Sequence, residues 1–279
     1  MVGQARSSQR YQRTVPDDEA QLVARMLELA RQHPRYGYRF ITAKLRQEGW
    51  QVNAKRIYRL WRREGLKVPK KKHKKRRTGS SENGCIRRRA ECPNDVWAWD
   101  FIFDHTANGT PLKWLSIVDE FTRECLCLRV ARSITSNDVI DTLAELFAIR
   151  SVPRHIRSDN GPEFVAHAIQ GWLSRLDIEA LYIEPGSPWE NGYAESFHSR
   201  VRDEFLSMEV FEHVSMARGL THAFKDEYND RRPHSSLGYQ TPSEFASHWA
   251  VSAPVAALPS LHQPNAKESL SPLTQPELS

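Results

Sequence analysis

Three carboxylates stand in sequence contexts that suit metal-dependent chemistry on phosphates. Asp100 lies inside an apolar run, where an ionised group is costly unless a metal ion or a charged partner compensates it. Asp159 follows a second predicted strand and precedes Asn-Gly-Pro, which predicts a turn that leaves the carboxylate at the strand end. Glu195 lies one turn into a predicted helix. Such oxygen ligands favour magnesium or manganese over zinc, and two bound ions can activate the attacking oxygen and stabilise the leaving oxygen of a phosphodiester.

The number of carboxylates alone is weak evidence, because the chain contains 34 Asp and Glu residues. The context of these three is more informative, and 35 residues separate Asp159 from Glu195. We interpret the nearest alternative ligands as residues that support the site or the fold; they are Glu163, Glu190, Asp104 and Asp119.

Opposite charge balances divide the chain near residue 92, although the net charge is only +6. Residues 1–92 contain 25 Lys and Arg against 8 Asp and Glu, whereas the remainder contains 15 against 26. This division predicts a front part that binds phosphates and a body rich in carboxylates. A basic arm that only improves solubility is the alternative interpretation.

Three short helices are predicted in the front part, over about 17–33, 39–47 and 53–65, from apolar residues that recur at helix spacing. Such an arrangement resembles a helix-turn-helix unit, whose last helix enters the major groove of DNA. We interpret one polar face of the third helix as DNA-contacting; its basic residues are Lys55, Arg56, Arg59, Arg62 and Arg63. A solvated face on an ordinary three-helix bundle is the alternative.

A dense basic segment follows these helices. Residues 70–77 contain seven Lys or Arg and one His, and like charges at that density predict a flexible linker. Lys70, Lys71 and Lys72 are candidates for contact with a DNA backbone, although such runs are often only solvated spacers.

The body alternates predicted strands and helices. Strands are predicted over 96–103, 114–118, 125–130, 155–158 and 180–183, and helices over 136–149, 164–176 and 191–206. Antiparallel strands followed by alternating helices and strands predict an α/β fold with a mixed sheet and flanking helices. Beyond about Ala246 the composition predicts a disordered tail. The predicted domains are 1–66 (helix-turn-helix), 67–92 (linker), 93–245 (catalytic core) and 246–279 (tail).

Two further residues follow Glu195 at helix spacing. His198 and Arg202 lie three and seven residues after it, which predicts a shared exposed face that orients a scissile phosphate. Pairing with acids of the same helix is an equally good interpretation. The segment 231–234 predicts a rigid loop, and its role in structure or in DNA contact stays open.

Residues 35–245 resemble the insertion-sequence-three family of transposases, second reading frame, which shares the ribonuclease H-like core of retroviral integrases. The motifs that carry the resemblance are RYGYR (35–39), WDF (99–101), SDNGPEF (158–164), ENGYAESF (190–197), YN (228–229), RPHSSLGY (232–239) and TP (241–242).

The resemblance implies a DDE enzyme in which Asp100, Asp159 and Glu195 bind two Mg²⁺ or Mn²⁺ ions. It implies terminal inverted repeats and target DNA as substrates, and strand cleavage followed by strand transfer. It also implies a homo-oligomer on DNA, and fusion to or partnership with an upstream reading-frame protein. No His-His-Cys-Cys module precedes the core, since the first cysteine is Cys85, and a viral integrase is therefore disfavoured.

Two other functions compete with this one: a DNA-binding regulator that no longer catalyses, and a nuclease that hydrolyses RNA in hybrids. The chain contains no run of roughly 18 to 20 apolar residues, and residues 1–13 are polar, so we expect a cytoplasmic protein with no membrane partner. The four cysteines fit no disulfide framework, and we interpret them as reduced thiols.

Overall fold

The computed structural model describes residues 17–68, 88–158, 167–182 and 192–252. The helices are α1 (Glu19–Gln32), α2 (Tyr38–Gln47), α3 (Ala54–Arg63), α4 (Ser136–Arg150), α5 (His167–Ser174), α6 (Gly192–Val201), α7 (Val214–Asp226) and α8 (Pro242–Ser252). The strands are β1 (Val96–His105), β2 (Pro111–Asp119), β3 (Cys125–Ala131), β4 (His155–Ser158) and β5 (Glu179–Tyr182). Two π-helical turns continue α6 and α7 over Arg202–Leu206 and Glu227–Arg231, and a 3₁₀ turn spans Ser235–Leu237.

The three front helices pack around one apolar core, as their periodicity predicts. This core is formed mainly by Leu22, Met26, Leu29, Ile41, Leu45, Ile57 and Leu60. Asn53 caps α3, because its side chain accepts a hydrogen bond of 2.8 Å from the Arg56 amide. Asp18 stands at the N-cap of α1 but its side chain does not cap that helix. It pairs with the Arg56 guanidinium instead, so it joins α1 to α3.

A five-stranded mixed sheet forms the body, with the strand order β3-β2-β1-β4-β5. β1, β2 and β3 pair antiparallel, whereas β4 and β5 run parallel to β1. The mixed sheet with flanking helices that the sequence predicts is confirmed. β1 is therefore the central strand, and it joins the antiparallel and parallel parts of the sheet.

Helices cover both faces of this sheet, and successive residues of β1 alternate between the two faces. Trp97, Trp99 and Phe101 face the core that α4 and α5 cover. Ile102 faces the core that α6 and α7 cover, together with Trp114 of β2. These tryptophans belong to the core, since Trp97, Trp99 and Trp114 are at most 1% exposed.

Thr135, which directly precedes the first helical residue Ser136, caps α4. The Thr135 hydroxyl accepts from the Asp138 amide, and the Asp138 carboxylate accepts from the Thr135 amide, which completes a capping box. Replacing Thr135 with Ala is expected to lower the free energy of unfolding by about 1 kcal/mol. Urea denaturation monitored by circular dichroism measures this change. The control is Ser133→Ala, an exposed residue before the cap, which should leave the stability unchanged.

The front helices contact the body through residues near the 35–39 motif. Arg35 Nε lies 3.6 Å from an Asp203 carboxylate oxygen, and Lys44 Nζ donates to the Arg231 carbonyl oxygen at 3.3 Å. The Phe40 ring meets the Tyr239 ring edge-on, with 5.8 Å between the centroids. Two of the resemblance motifs, 35–39 and 232–239, therefore lie at one interface.

His33 at this interface should make stability depend on pH. Burial, and then the positive charge of Lys44, lower the pKa of His33 from 6.5 to about 4. The unfolded chain takes up this proton below about pH 6.5, whereas the folded protein takes it up only near pH 4. We expect the free energy of unfolding to fall as the pH is lowered through this window, and His33→Gln to weaken that fall.

The charged groups that face His33 are Lys44, Arg232, Arg25, Glu204 and Glu227. Urea denaturation at a series of pH values measures the effect, and each variant is compared with the parent chain at the same pH. His222→Gln is the matched control, because the His222 side chain is 79% exposed. If the free energy of unfolding of His33→Gln falls between pH 6.5 and pH 4 as steeply as that of the parent chain, the prediction is contradicted.

α8 corrects the prediction of a disordered tail from Ala246. The helix continues to Ser252, and residues 253–279 lie outside the described part of the chain. Thr241 and Glu244 form reciprocal hydrogen bonds that start α8. The Phe245 and Trp249 rings both lie 5.7 Å from the Phe121 ring, so aromatic packing holds this helix on the body.

Candidate catalytic site and DNA-contacting surfaces

Asp100 lies in the middle of the central strand β1, directly opposite Ser116 of β2. Its side chain is 22% exposed, and its Oδ1 atom accepts the Phe101 amide at 2.7 Å. The alternation of β1 places it on the face that α6 and α7 cover, the same face as Ile102. The structure therefore presents a partly buried carboxylate at the centre of the sheet.

Asp159 lies outside the described residues. It follows directly on Ser158, the last residue of β4, and β4 runs parallel beside β1. The last described pair between these strands is Ala98 with Arg157. The assignment of Asp159 as a metal ligand stays a prediction.

Glu195 lies in the first turn of α6 and is exposed. α6 packs on β1 and β2. The buried stripe of this helix consists of Ala194, Phe197, His198 and Val201. Glu195 is next to this stripe, so the packing of α6 fixes the backbone that carries the carboxylate while the side chain stays open to solvent.

His198 does not lie on an exposed face, and that prediction is wrong. Its residue surface is only 5% exposed, because positions 194, 197, 198 and 201 form one stripe against the sheet. Its Nδ1 atom lies 3.4 Å from Asp100 Oδ2, and its Nε2 atom lies 2.7 Å from Ser116 Oγ. Burial, and then the positive charge of Arg202, lower the pKa of His198 to about 4.

Ser116 is a member of this cluster that the sequence reasoning missed. Its hydroxyl donates to the Asp100 carbonyl oxygen at 2.9 Å and also lies against the His198 ring. The signal was a single hydroxyl residue within the apolar run of β2. Asp100, Ser116 and His198 together form a polar link between the sheet and the helix that bears Glu195.

Arg202 is exposed at the start of the π-helical turn after α6. Its guanidinium forms no hydrogen bond or ion pair with the residues that the structure describes. It is open to a ligand, and its predicted contact with a phosphate stays a prediction.

Two of the four alternative ligands lie in the described part of the chain, and both accept backbone amides. Asp119 is 2% exposed, and its carboxylate accepts backbone amides from Asn94, Phe121 and Thr122 at 2.7, 2.8 and 2.9 Å. This geometry gives Asp119 a structural role in the turn after β2. Asp104 accepts the His105 amide at 2.9 Å, and Glu163 and Glu190 lie outside the described residues.

Two arginines of the basic face of α3 form ion pairs with acidic residues at the start of α1. Arg56 pairs with Asp18, and Arg63 pairs with Glu19, each at 2.5 Å. The exposed members of this face are Lys55, Arg59 and Arg62, besides the half-exposed Arg63. Lys70, Lys71 and Lys72 lie outside the described residues. A contact between DNA and this face remains a prediction for all of them.

The described ranges contain no group of three or more His, Cys, Asp or Glu side chains placed to hold a metal ion. Among the helices described, none has the length and apolar character needed to cross a membrane. Cys92, Cys125 and Cys127 are free thiols, as predicted, and Cys85 lies outside the described residues.

Three families match successive parts of the chain. An HTH-like domain matches residues 16–75, and integrase core domains match residues 90–188 and 176–242. The simian T-cell lymphotropic virus intasome, in complex with a PP2A regulatory subunit, contains a chain with a similar fold. The TM-score is 0.50 at 16% identity, over 90% of this chain and 80% of that one. At that identity the likeness supports the ribonuclease H-like fold alone.

Insertion elements encode several curated relatives of this chain. The uncharacterized 39.2 kDa protein of IS476 from Xanthomonas euvesicatoria is 40% identical over 238 residues, 85% of this chain and 68% of that protein. The uncharacterized 31.7 kDa protein of IS407 from Burkholderia multivorans is 37% identical over 92% of both chains. Transposase InsD of IS2 from Escherichia coli is 29% identical over 82% of this chain and 79% of that one. This chain belongs to the insertion-sequence-three family of transposases, with an HTH-like domain in front of an integrase core.

Proposed function

We propose that this transposase cleaves DNA at the ends of its element and transfers the strands to target DNA, with Asp100, Asp159 and Glu195 as ligands of two Mg²⁺ or Mn²⁺ ions. The observation that carries the proposal is Asp100 itself. It is a partly buried carboxylate on the central strand of an integrase-type core, beneath the helix that bears Glu195.

The chemistry and exposure of Asp100 and Glu195 suit the binding of Mg²⁺ or Mn²⁺. Asp100 is partly exposed and Glu195 is exposed, and carboxylate oxygens are the ligands that Mg²⁺ and Mn²⁺ prefer. When bound, the two ions would lower the pKa of the attacking oxygen's proton and stabilise the charge on the leaving oxygen.

His198 and Ser116 act on Asp100 in this proposal. The His198 ring lies against Asp100 Oδ2, and the Ser116 hydroxyl holds both that ring and the Asp100 backbone. The Phe101 amide donates to Asp100 Oδ1 while the His198 ring lies at Oδ2, so this carboxylate loses little conformational freedom when it binds an ion. We assign His198 and Ser116 as positioning residues, and we propose the exposed Arg202 as a contact for a DNA phosphate.

The front helices supply DNA binding in this proposal. The exposed residues Lys55, Arg59 and Arg62 of α3 are candidates for phosphate contacts, which weaken as the salt concentration rises. We also propose that the active species is a homo-oligomer assembled on two element ends, with or without an upstream reading-frame protein.

Cleavage of labelled DNA tests the proposed function. The purified chain is incubated with a duplex that carries the element end, in Mg²⁺, Mn²⁺ or EDTA. We expect nicked and joined products with either metal and none with EDTA. The control is an RNA–DNA hybrid of the same sequence, which should stay intact.

The outcomes separate the competing functions. Preferential cleavage of the hybrid would favour a nuclease that hydrolyses RNA. Tight DNA binding without products in any metal, also after addition of the upstream-frame protein, would favour a DNA-binding regulator.

A further inference from the structure

A polar cavity lies next to the helix that bears Glu195. Its volume is about 330 Å³, and four segments line it. They are the end of β2 with the turn after it, the α6 helix, the π-helical turn that continues α7, and the loop of the 232–239 motif. The residues that matter for its chemistry are Arg123, Tyr193, Arg200, His234, Ser235 and Ser236.

Arg123 contributes an unsatisfied cation to this cavity. Its guanidinium carbon lies 3.7 Å from the centroid of the Tyr193 ring, so the aromatic face fixes its position. Its Nη1 atom is buried and has no hydrogen-bond partner among the residues that the structure describes. A buried N–H group without an acceptor is unfavourable, and a bound acceptor would remove that penalty.

Arg200 adds a second cation from α6. It is half-buried, and within the described ranges its guanidinium forms no hydrogen bond or ion pair. Asp119 also borders the cavity, but three backbone amides occupy its carboxylate oxygens. Neither arginine is therefore neutralised by a carboxylate in the described structure.

The loop of the 232–239 motif completes the cavity. His234 lies there, and burial together with the positive charges of Arg232, Arg123 and Arg200 lowers its pKa to about 3. Ser236 Oγ lies 3.0 Å from His234 Nδ1, and Ser235 and Ser236 are exposed hydroxyl residues. Two arginines and hydroxyl groups are the donors that recognise a phosphate.

We propose that this cavity binds a phosphodiester of the DNA on which the catalytic carboxylates act. The inference rests on the proposed function, and it adds a phosphate contact away from the reacting atoms. Tyr193 and Ser196, which flank Glu195 on α6, both line this cavity. Arg200 lies about 7.5 Å further along the helix axis than Glu195 and about 140° around it. Because a duplex carries a charged phosphate about every 1.7 Å of its axis, further phosphates lie within reach of the cavity when one phosphate is at Glu195.

The salt dependence of DNA affinity tests the cavity directly. The probe is a fluorescent duplex that carries the element end, and its affinity is measured by anisotropy in EDTA at several NaCl concentrations. Each lost phosphate contact lowers the slope of log affinity against log salt by about 0.9. We expect Arg123→Gln/Arg200→Gln to weaken binding and to lower the slope by about that amount.

Two further variants keep the test decisive. Arg132→Gln removes an exposed arginine after β3, outside the cavity, and should leave the slope within about 0.3 of the parent value. The second variant is Arg200→Gln alone, which replaces the double variant if that one does not fold. Arg200 has no partner to lose within the described structure, so this variant should fold and should also lower the slope. A slope that stays at the parent value in a folded Arg200→Gln variant overturns the proposal.

Inorganic phosphate distinguishes DNA from a free anion as the ligand. If phosphate raises the melting temperature of the parent but not of the double variant, while the DNA slopes are equal, the cavity binds a free anion and the assignment to DNA is overturned. Because binding is measured without a catalytic metal, this failure leaves metal-dependent cleavage standing. Conversely, absent cleavage would leave the measured slopes unaffected.

Discussion

Asp100→Asn is expected to lower the rate of DNA cleavage by about a thousandfold or more, because the amide removes one negative ligand from the proposed site. A metal ion contributes several kcal/mol of stabilisation to the transition state, and each 1.36 kcal/mol lost is about a tenfold lower rate. The Asn Oδ1 atom can still accept the Phe101 amide, so the strand should keep its structure. The initial rate of nicking with Mg²⁺ measures the effect.

Asp104→Asn is the matched control, since Asp104 lies on the same strand and its side chain is 29% exposed. This variant should cleave at the parent rate. Binding of the same duplex in EDTA should be unchanged in both variants, which separates catalysis from DNA affinity. An Asp100→Asn variant with full cleavage activity would show that Asp100 is not a ligand.

Glu204→Gln is expected to lower the free energy of unfolding by about 3 kcal/mol, because it leaves the buried Arg232 cation without its counter-charge. The Arg232 side chain is 4% exposed, and its Nε and Nη2 atoms donate to the two Glu204 carboxylate oxygens at 2.6 Å. The Phe40 ring lies 5.1 Å from its guanidinium carbon, and the Tyr36 ring lies 5.8 Å away. Both rings belong to the front helices, so the loss should also loosen their contact with the body.

Urea denaturation monitored by circular dichroism measures this stability. Glu212→Gln is the control, because Glu212 is exposed and has no side-chain partner in the described ranges. The double variant Glu204→Gln/Arg232→Met removes both charges and should recover part of the loss. A decrease below about 1 kcal/mol, typical of exposed pairs, would contradict the assignment.

The sequence predicted the antiparallel part of the sheet well because its three strands are largely apolar runs with clear boundaries. β1, β2 and β3 each begin and end within three residues of their predicted limits. The three front helices follow from apolar spacing in the same way. Patterns of this kind depend on neighbours along the chain, which a single sequence shows directly.

The errors concern contacts between distant segments. His198 was predicted on an exposed face because its spacing from Glu195 was considered without the apolar residues Ala194, Phe197 and Val201. The partnership of His198 with Ser116 joins residues 82 positions apart, and no local pattern encodes it.

The tail was predicted from average composition, which hid a short local signal. Thr241 and Glu244 stand at the spacing of a capping box, and the apolar residues after them continue a helix to Ser252. The contact of Phe121 with Phe245 is again a long-range feature. Composition therefore predicts an end of regular structure near Ala246, whereas α8 continues to Ser252.

The docking of Arg232 among aromatic rings from the front helices has a consequence for engineering. Its pocket is assembled from opposite ends of the polypeptide, since Tyr36 and Phe40 precede the sheet whereas Glu204 and Tyr228 follow it. A chimera that takes its front helices from one relative and its remaining sequence from another must keep these four positions matched. In hybrids that take the two pairs from different relatives, the residues around Arg232 would no longer fit one another.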